Sequence, residues 1–154
     1  MLALSRTFYL FTGFHSFLLG LLPLFIPVIL WDKGLTISDI AYFIALTAVG
    51  FLLALYYWDH LRAAQNWGKL ISFSFVFQGL FVVLLVWDKQ SVLVTLGALI
   101  NGAAGCFYWS TQRLLFQAIT EDKNTGNTFG NFQIVVVFAL KIGVLVGSYL
   151  LGME

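Results

Sequence analysis

Charged side chains are scarce in this sequence. Asp, Glu, Lys and Arg make up only 10% of its 154 residues, whereas soluble domains carry about 25%. With 60% hydrophobic residues, the chain lacks the polar surface that a soluble domain needs. The formal net charge is +1, and the Lys and Arg residues form no basic stripe, so we expect no nucleic-acid partner.

Residues that carry catalysis or bind metals are also few. The sequence has one cysteine and two histidines, which is a poor set of metal ligands, and Asp59 and His60 have no Ser or Cys nucleophile beside them. It contains neither the phosphate-binding pattern GxxxxGK[ST] nor GxGxxG. We therefore predict that the protein is not an enzyme and uses no metal or cofactor. Cys106 lies in an apolar run and is interpreted as a small buried thiol.

Long apolar runs are what the sequence has instead. A helix of about 20 apolar residues, rising 1.5 Å per residue, spans the ~30 Å hydrocarbon core of a bilayer. Uninterrupted runs without alternation favour helices over strands, and lipid requires every backbone polar group to be paired internally. The sequence thus predicts an all-α integral membrane protein, a polytopic bundle of five transmembrane helices forming one domain over residues 1–154. The five predicted spans cover approximately residues 7–31, 38–58, 70–87, 92–118 and 128–151.

Local signals refine this prediction. The first span is too long for a signal-peptide core, so we expect it to be retained, and Pro23 and Pro27 should kink it. Ser38 is expected to cap the second helix, with Asp39 complementing its positive end. We interpret residues 59–69 as a short amphipathic loop and residues 88–90 as a tight turn.

The distribution of Lys and Arg predicts the orientation. A cytoplasmic N-terminus places five of these residues inside and two outside, as the positive-inside rule favours. The inside set is Arg6, Arg62, Lys69, Arg113 and Lys123, and the outside set is Lys33 and Lys89. Trp31, Trp58, Trp67 and Trp87 fall at predicted span ends, which is typical of an aromatic belt at the membrane interface.

Lys141 is the most informative charge, because it lies near the middle of the last predicted span. A lysine at that depth costs about 2.5–3.5 kcal/mol on insertion scales, and the chain has no intramembrane acid to pair with it. Such a residue tends to face a water-filled cavity, a partner acid or a ligand, although it could also snorkel toward an interface. Gly143 and Gly147 form a GxxxG pair on the other side of the same helix, which predicts close helix packing there.

Two further sets of polar residues lie inside predicted spans. Gly97, Asn101, Gly105, Tyr108 and Gln112 share one face of the fourth helix at about 100° per residue. This stripe indicates either the wall of a solvated path or interhelical hydrogen bonding with close packing. In the first helix, Thr12, His15 and Ser16 form a polar patch. His15 is either hydrogen-bonded to a neighbour or a proton carrier, because its ordinary pKa is close to physiological pH.

The dispersed motifs resemble the N-terminal half of a major facilitator superfamily transporter. Residues 34–43, GLTISDIAYF, are similar to the entry to the second helix in that family. Asp59, Arg62 and Lys69 lie where the family carries its Gly-x-x-x-Asp-Arg-x-Gly-Arg loop, with Leu55 in place of the first Gly. Residues 101–105 and the glycines of the last span also resemble family patterns, so the similarity covers nearly the whole chain.

The resemblance implies a function and a site. It implies that His15, Asn101, Tyr108, Gln112 and Lys141 surround one solute path. It also implies that residues 59–69 act as a conformational latch, and that two six-helix halves rock about a midplane site. The expected localisation is the bacterial cytoplasmic (inner) membrane, with multiple crossings.

These implications lead to two hypotheses. The first is transport of a small polar or anionic solute as part of a secondary transporter, with optional proton coupling. Five helices lack the sixth helix and the second half, so this would require a second half-transporter or a homo-oligomer. The second hypothesis is a truncated or accessory membrane protein that docks onto a partner helix bundle without transporting by itself.

Overall fold

The computed structural model describes residues 2–21, 25–63, 66–86, 92–120 and 125–151. These residues are almost entirely helical, and no strand occurs among them. A π-helical turn, Leu93–Gly97, leads directly into the fifth helix. The six α-helices are α1 (Leu2–Leu21), α2 (Ile26–Asp32), α3 (Ile37–Ala63), α4 (Trp67–Val86), α5 (Ala98–Ile119) and α6 (Thr125–Leu151).

Five segments are long and apolar enough to cross a membrane. α1 and α2 together provide the first of them, and each of the other long helices provides one. The five membrane-spanning helices predicted from the sequence are therefore confirmed by length and composition. The candidate spans are Leu4–Asp32, Ile37–Ala63, Trp67–Val86, Leu93–Ile119 and Thr125–Leu150.

The chain divides into two compact units, which we describe separately. The first unit comprises Met1–Ile26 and Gln112–Glu154, and therefore contains α1, α6 and the C-terminal end of α5. The second unit is Pro27–Thr111, which contains α2, α3, α4 and the N-terminal part of α5.

In the first unit, α1 and α6 pack along a seam of glycines. A Cβ atom at Gly143 would collide with the backbone carbonyl oxygen of Phe17. A Cβ atom at Gly20 would collide in the same way with the carbonyl oxygen of Leu140, and one at Gly147 would lie 2.6 Å from that of Leu21. The two backbones can approach so closely only because these positions have no side chain.

Aromatic rings fill the other end of this helix pair. Phe8 is fully buried, and its ring lies 6.0 Å from that of Phe116 and 5.7 Å from that of Phe132. Phe129 joins the same cluster, 6.2 Å from Phe132. Ring separations of 4.5–7 Å are those at which aromatic pairs attract each other. The cluster therefore fixes the end of α5 against α1 and α6.

In the second unit, α3 and α5 approach each other through another pair of glycines. A Cβ atom at Gly50 would collide with the carbonyl oxygen of Leu99, and one at Gly102 would collide with that of Thr47. The backbone contact thus involves both helices reciprocally. This contact determines how closely α3 approaches α5.

Aromatic side chains tie α4 to the helices beside it. The ring of Phe107 on α5 lies 5.5 Å from each of Phe73 and Phe77 on α4. Tyr57 on α3 meets Phe73 edge-on at 6.2 Å, and Phe43 lies 6.1 Å from the fully buried Phe81. Ring packing therefore joins α4 to both α3 and α5.

One buried hydrogen bond joins the far ends of α3 and α5. The indole N–H of Trp58 donates to the hydroxyl oxygen of Thr111 over 3.0 Å, and both side chains are buried. Trp58 therefore packs against protein, while its place in an interfacial belt stays a prediction. Trp31, by contrast, is 56% exposed at the end of α2.

Several helix boundaries differ from those predicted. α3 continues to Ala63 and α4 begins at Trp67, so most of the predicted loop at residues 59–69 is helical, and the expectation of a loop there was wrong. The amide side chain of Asn66 accepts the backbone N–H of Lys69, which caps α4. The turn predicted at residues 88–90 lies outside the described residues.

The N-terminal cap of α3 is Thr36 and not Ser38. The Thr36 hydroxyl oxygen accepts the backbone N–H of Asp39 over 3.2 Å, and the Asp39 carboxylate accepts the backbone N–H of Thr36 over 2.9 Å. This reciprocal pair is a capping box, in which two unpaired backbone donors are satisfied at once. Gly34, with φ 81°, reverses the chain just before it, which is a conformation that suits glycine.

Two described helices belong to the first span, and a proline lies at the start of the second. α1 ends at Leu21 and α2 begins at Ile26, which places Pro27 in the first turn of α2. Proline is tolerated in the first turn because its missing N–H would have no intrahelical partner there. Pro23, the other residue of the predicted kink, lies outside the described residues.

The glycine seam of the first unit can be tested with a matched pair of substitutions. Gly143→Ala should reduce the free energy of unfolding in mixed micelles by about 1–3 kcal/mol, because the new methyl group overpacks the contact with Phe17. Gly130→Ala on the same helix meets no atom within 4 Å and should be neutral or slightly stabilising, since alanine favours helix. Equal effects of the two substitutions would contradict the seam.

The Trp58 hydrogen bond can be measured with a double-mutant cycle. Trp58→Phe and Thr111→Val each remove one partner, and the double variant removes both. We expect a coupling energy of about 0.6–1.5 kcal/mol, the range for hydrogen bonds in membrane proteins and in folded proteins generally. A coupling energy of zero in reversible unfolding would show that the contact contributes nothing to stability.

Candidate functional site

The residues predicted to bind solute are divided between the two units. His15, Gln112 and Lys141 belong to the first unit, and Asn101 and Tyr108 to the second. Their positions are therefore given within each unit.

The polar patch of α1 is fully buried. Thr12, His15 and Ser16 are each no more than 1% exposed, and their spacing of three and four residues places them on one face of the helix. The Thr12 hydroxyl donates to the carbonyl oxygen of Phe8 over 2.8 Å, so its own helix satisfies it. The imidazole of His15 meets the ring of Phe11 edge-on at 6.1 Å. This helix thus turns polar side chains away from lipid.

The polar stripe of α5 becomes more buried along the helix. Asn101 is partly exposed, whereas Tyr108 is 1% exposed and Gln112 is 5% exposed. In an apolar 18-residue stretch of this candidate span half of the residues are buried, the largest share among the five spans. α5 is therefore the most enclosed helix, and its polar side chains at Tyr108 and Gln112 lie in protein.

The two glycines of this stripe pack against apolar side chains. A Cβ atom at Gly97 would lie 3.1 Å from a methyl group of Leu93 and 3.8 Å from the ring of Phe81. A Cβ atom at Gly105 would lie 3.9 Å from the ring of Phe51. At these two positions the stripe serves packing. The solvated-path interpretation therefore depends on Asn101, Tyr108 and Gln112.

Lys141 lies on a different kind of surface. Its side chain is exposed, and no carboxylate in the described ranges forms an ion pair with it. At 1.5 Å per residue it is about 15 Å from the C-terminal end of α6. The structure thus places an exposed positive charge, without an ion-pair partner among the described residues, on a helix that is long enough to cross a bilayer.

The residues predicted to form a latch lie on helices. The guanidinium of Arg62 forms an ion pair of 2.7 Å with the carboxylate of Asp59, one turn earlier on α3. The same guanidinium lies 5.9 Å from the centre of the Trp58 ring, within the range of a cation–π contact. Lys69 is exposed in the first turn of α4. Because both members of the ion pair are roughly half exposed, it adds little to stability.

Sequence reasoning missed two features of this part of the chain. Thr111 is buried and accepts a hydrogen bond from the indole N–H of Trp58. The only feature of the sequence that could have indicated this contact was a Thr inside an apolar span. Gly50 and Gly102 form the close contact of α3 with α5, but they lie on different helices, so no spacing within one helix indicates that they meet.

No metal-binding arrangement is found in the part of the chain that the structure describes. There, no group of three or more His, Cys, Asp or Glu side chains is close enough to hold an ion. An open depression of about 630 Å³ lies at the connection of α2 and α3, between Trp31 and Ser38. It is formed by one short segment and contains no pair of groups that could act together chemically.

Comparisons with protein-family models, curated proteins and solved structures find no match to this chain.

Proposed function

We propose that this protein takes part in membrane transport of a small polar or anionic solute, as part of a secondary transporter of the major facilitator type. The observation that carries the proposal is that three of the five candidate spans bury polar side chains, among them α4, which buries Ser74 and Gln78. α1 buries Thr12, His15 and Ser16, and α5 buries Tyr108, Thr111 and Gln112.

Burial of these groups is hard to explain by anchoring alone. A bundle that only anchors a protein is most easily built with apolar buried positions, because each polar group taken out of water must find a partner. In a membrane, a hydrogen bond to such a partner stabilises the protein by only about 0.6 kcal/mol on average. Polar and ionisable groups inside spans are therefore often functional, as ligands for a solute or as proton relays.

The resemblance to the facilitator family supports the same function. Carriers of that family move two helical halves about a binding site near the bilayer midplane. By the resemblance, the five helices here would form part of the N-terminal half, with the N-terminus in the cytoplasm of a bacterial cell. A complete carrier would then need helices beyond these five.

Lys141 fits this proposal under one condition. Its ammonium is exposed in this chain, so a solute could be held there only if further helices close the space in front of α6. A charge-assisted hydrogen bond to an anion would then give the solute site its preference for negative charge.

A second candidate function, an accessory protein without transport activity, is favoured by a specific observation. In an apolar 18-residue stretch of each helix, only 6% of the residues of α6 and 11% of those of α3 are buried, which leaves these two helices mostly uncovered. Mass measurement of the detergent-solubilised protein distinguishes the two functions. A strict monomer without transport activity supports the accessory role, whereas a stable dimer or a co-purifying second half supports the carrier.

The transport proposal predicts water at the buried polar positions. Single cysteines at Thr12, Ser16 and Gln112, in a Cys106→Ala background, should react with a membrane-impermeant thiol reagent in intact cells. A cysteine at Phe8, which is fully buried in the aromatic cluster, should not react and is the matched control. If none of the polar positions is labelled, the interior is dry and the carrier proposal fails.

It also predicts a role for the charge of Lys141. In cells that express the chain, uptake of a panel of radiolabelled small carboxylates should exceed that of cells without it. Lys141→Ala should raise KM for the transported carboxylate about tenfold or more, because a hydrogen bond to a charged group contributes about 1.5–3 kcal/mol. Lys141→Arg should keep most of the affinity. Unchanged uptake kinetics in the Ala variant would remove Lys141 from the site.

A further inference from the structure

One side of α6 is exposed over nearly its whole length. Six residues at spacings of three and four lie on this side, within about 80° of one another around the helix axis. Ile134, Phe138, Leu145 and Tyr149 are each 67–70% exposed, and Asn131 and Lys141 are exposed as well. We call this set the outer face of α6.

The other side of the helix is already occupied. Gly143 and Gly147 lie roughly opposite the outer face, and both pack against the backbone of α1. The outer face is therefore free of contacts with α1. It consists of large apolar side chains with one cation among them.

Lipid alone is a poor environment for this face, because of Lys141. The residue is the seventeenth of the 27 in α6, so its stem must reach far to bring the ammonium to either interface. None of the seven acidic residues of the sequence lies inside α6. Three of the seven are described. Asp32 ends α2, Asp39 is in the first turn of α3 and is held by Thr36, and Asp59 is paired with Arg62 near the end of α3. Among the described residues, every carboxylate thus lies at or near a helix end, and none lies in the middle of a span as Lys141 does.

We propose that the outer face of α6 docks a transmembrane helix of a different polypeptide, and that this helix carries an Asp or Glu opposite Lys141. The pairing of the carboxylate with the ammonium would satisfy both charges away from water. The protruding side chains of Phe138, Leu145 and Tyr149 fit a partner that has small residues around its acid, because small residues let helices approach closely in lipid.

Lys141 and its apolar neighbours argue against two other partners for the outer face, a second copy of this chain and a small soluble anion. Two copies of this chain in a parallel two-fold contact would place Lys141 at the same depth on both sides, and their like charges would repel. A small soluble anion could neutralise the ammonium, but it would leave Ile134, Phe138 and Leu145 uncovered. A transmembrane helix that bears a carboxylate would pair with the ammonium of Lys141 and would also cover the apolar side chains around it.

The test uses a synthetic transmembrane helix as the probe. The helix is built of Leu and Ala with one central Glu, and a second helix with Gln at that position is the matched control. Association with the full chain is measured by fluorescence energy transfer in phosphatidylcholine vesicles. We expect the Glu helix to bind about tenfold more tightly than the Gln helix, as a charge-assisted hydrogen bond predicts.

Variants of the chain localise the effect. Lys141→Met should abolish the preference for Glu without hindering membrane insertion, since methionine is apolar, and Lys141→Arg should retain it. Adding Ile142→Lys to the Met variant moves the cation about 100° around the helix and should not restore the preference. Phe138→Ala should weaken binding of both helices.

Several results would overturn the proposal. These are equal binding of the Glu and Gln helices, a preference that persists in Lys141→Met, loss of the preference in excess sodium acetate, or self-association of the chain through this face in place of probe binding. The assay measures no transport. If docking fails, the transport proposal still stands on the buried polar residues. If docking succeeds, it excludes Lys141 from the solute site but not transport itself, which the thiol-labelling experiment tests separately.

Discussion

The structure depends on the close approach of helix backbones at glycine. In a membrane, apolar side chains gain little by leaving lipid for protein, because lipid tails are as apolar as they are. Helices then associate where small residues let their surfaces come near enough for strong dispersion contacts. Gly20 and Gly143 provide this between α1 and α6, and Gly50 and Gly102 provide it between α3 and α5. Each of the two units thus contains one glycine contact.

Each glycine contact is supplemented by packing of a different kind. In the first unit, the Phe8 cluster lies well along α1 from Gly20, so the helix pair is held at two separate levels. In the second unit, the Trp58 hydrogen bond does the same for α3 and α5, two turns beyond the Gly50 contact. Two points of contact fix the crossing of two helices, whereas one point would leave them free to swing.

The sequence was enough to predict the helices but not how they meet. The number of spans follows from hydropathy, which depends only on local composition. The ends of α3 were predicted less well, because Asp59, His60 and Arg62 look like a loop although the helix continues past them to Ala63. The cap was misplaced from Thr36 to Ser38 for a related reason, since both residue types cap helices and only the geometry with Asp39 distinguishes them.

Most contacts between helices could not be predicted from the sequence. The GxxxG pair at Gly143 and Gly147 is visible because its two members share one helix. Nothing local connects Gly50 with Leu99, or Trp58 with Thr111, because these contacts depend on the rotation and depth of two helices. Trp58 shows the consequence. Its position near a predicted span end suggested an interfacial anchor, while its indole is in fact buried in a hydrogen bond.

The polar residues inside the spans differ in whether the chain itself can satisfy them. A hydroxyl can donate to a carbonyl of its own helix, as Thr12 does to Phe8 and Thr47 does to Phe43, so a buried Thr can be satisfied without a partner from another helix. An ammonium group has three donors and a full charge, and backbone carbonyls that are already engaged in a helix cannot neutralise it. Lys141 is exposed on a helix in which only 6% of an apolar 18-residue stretch is buried. Among the described polar side chains, Lys141 is therefore the one that most needs a partner from outside this chain. A solute and a partner helix could both neutralise its charge. Only the helix would also cover the apolar residues on either side of it.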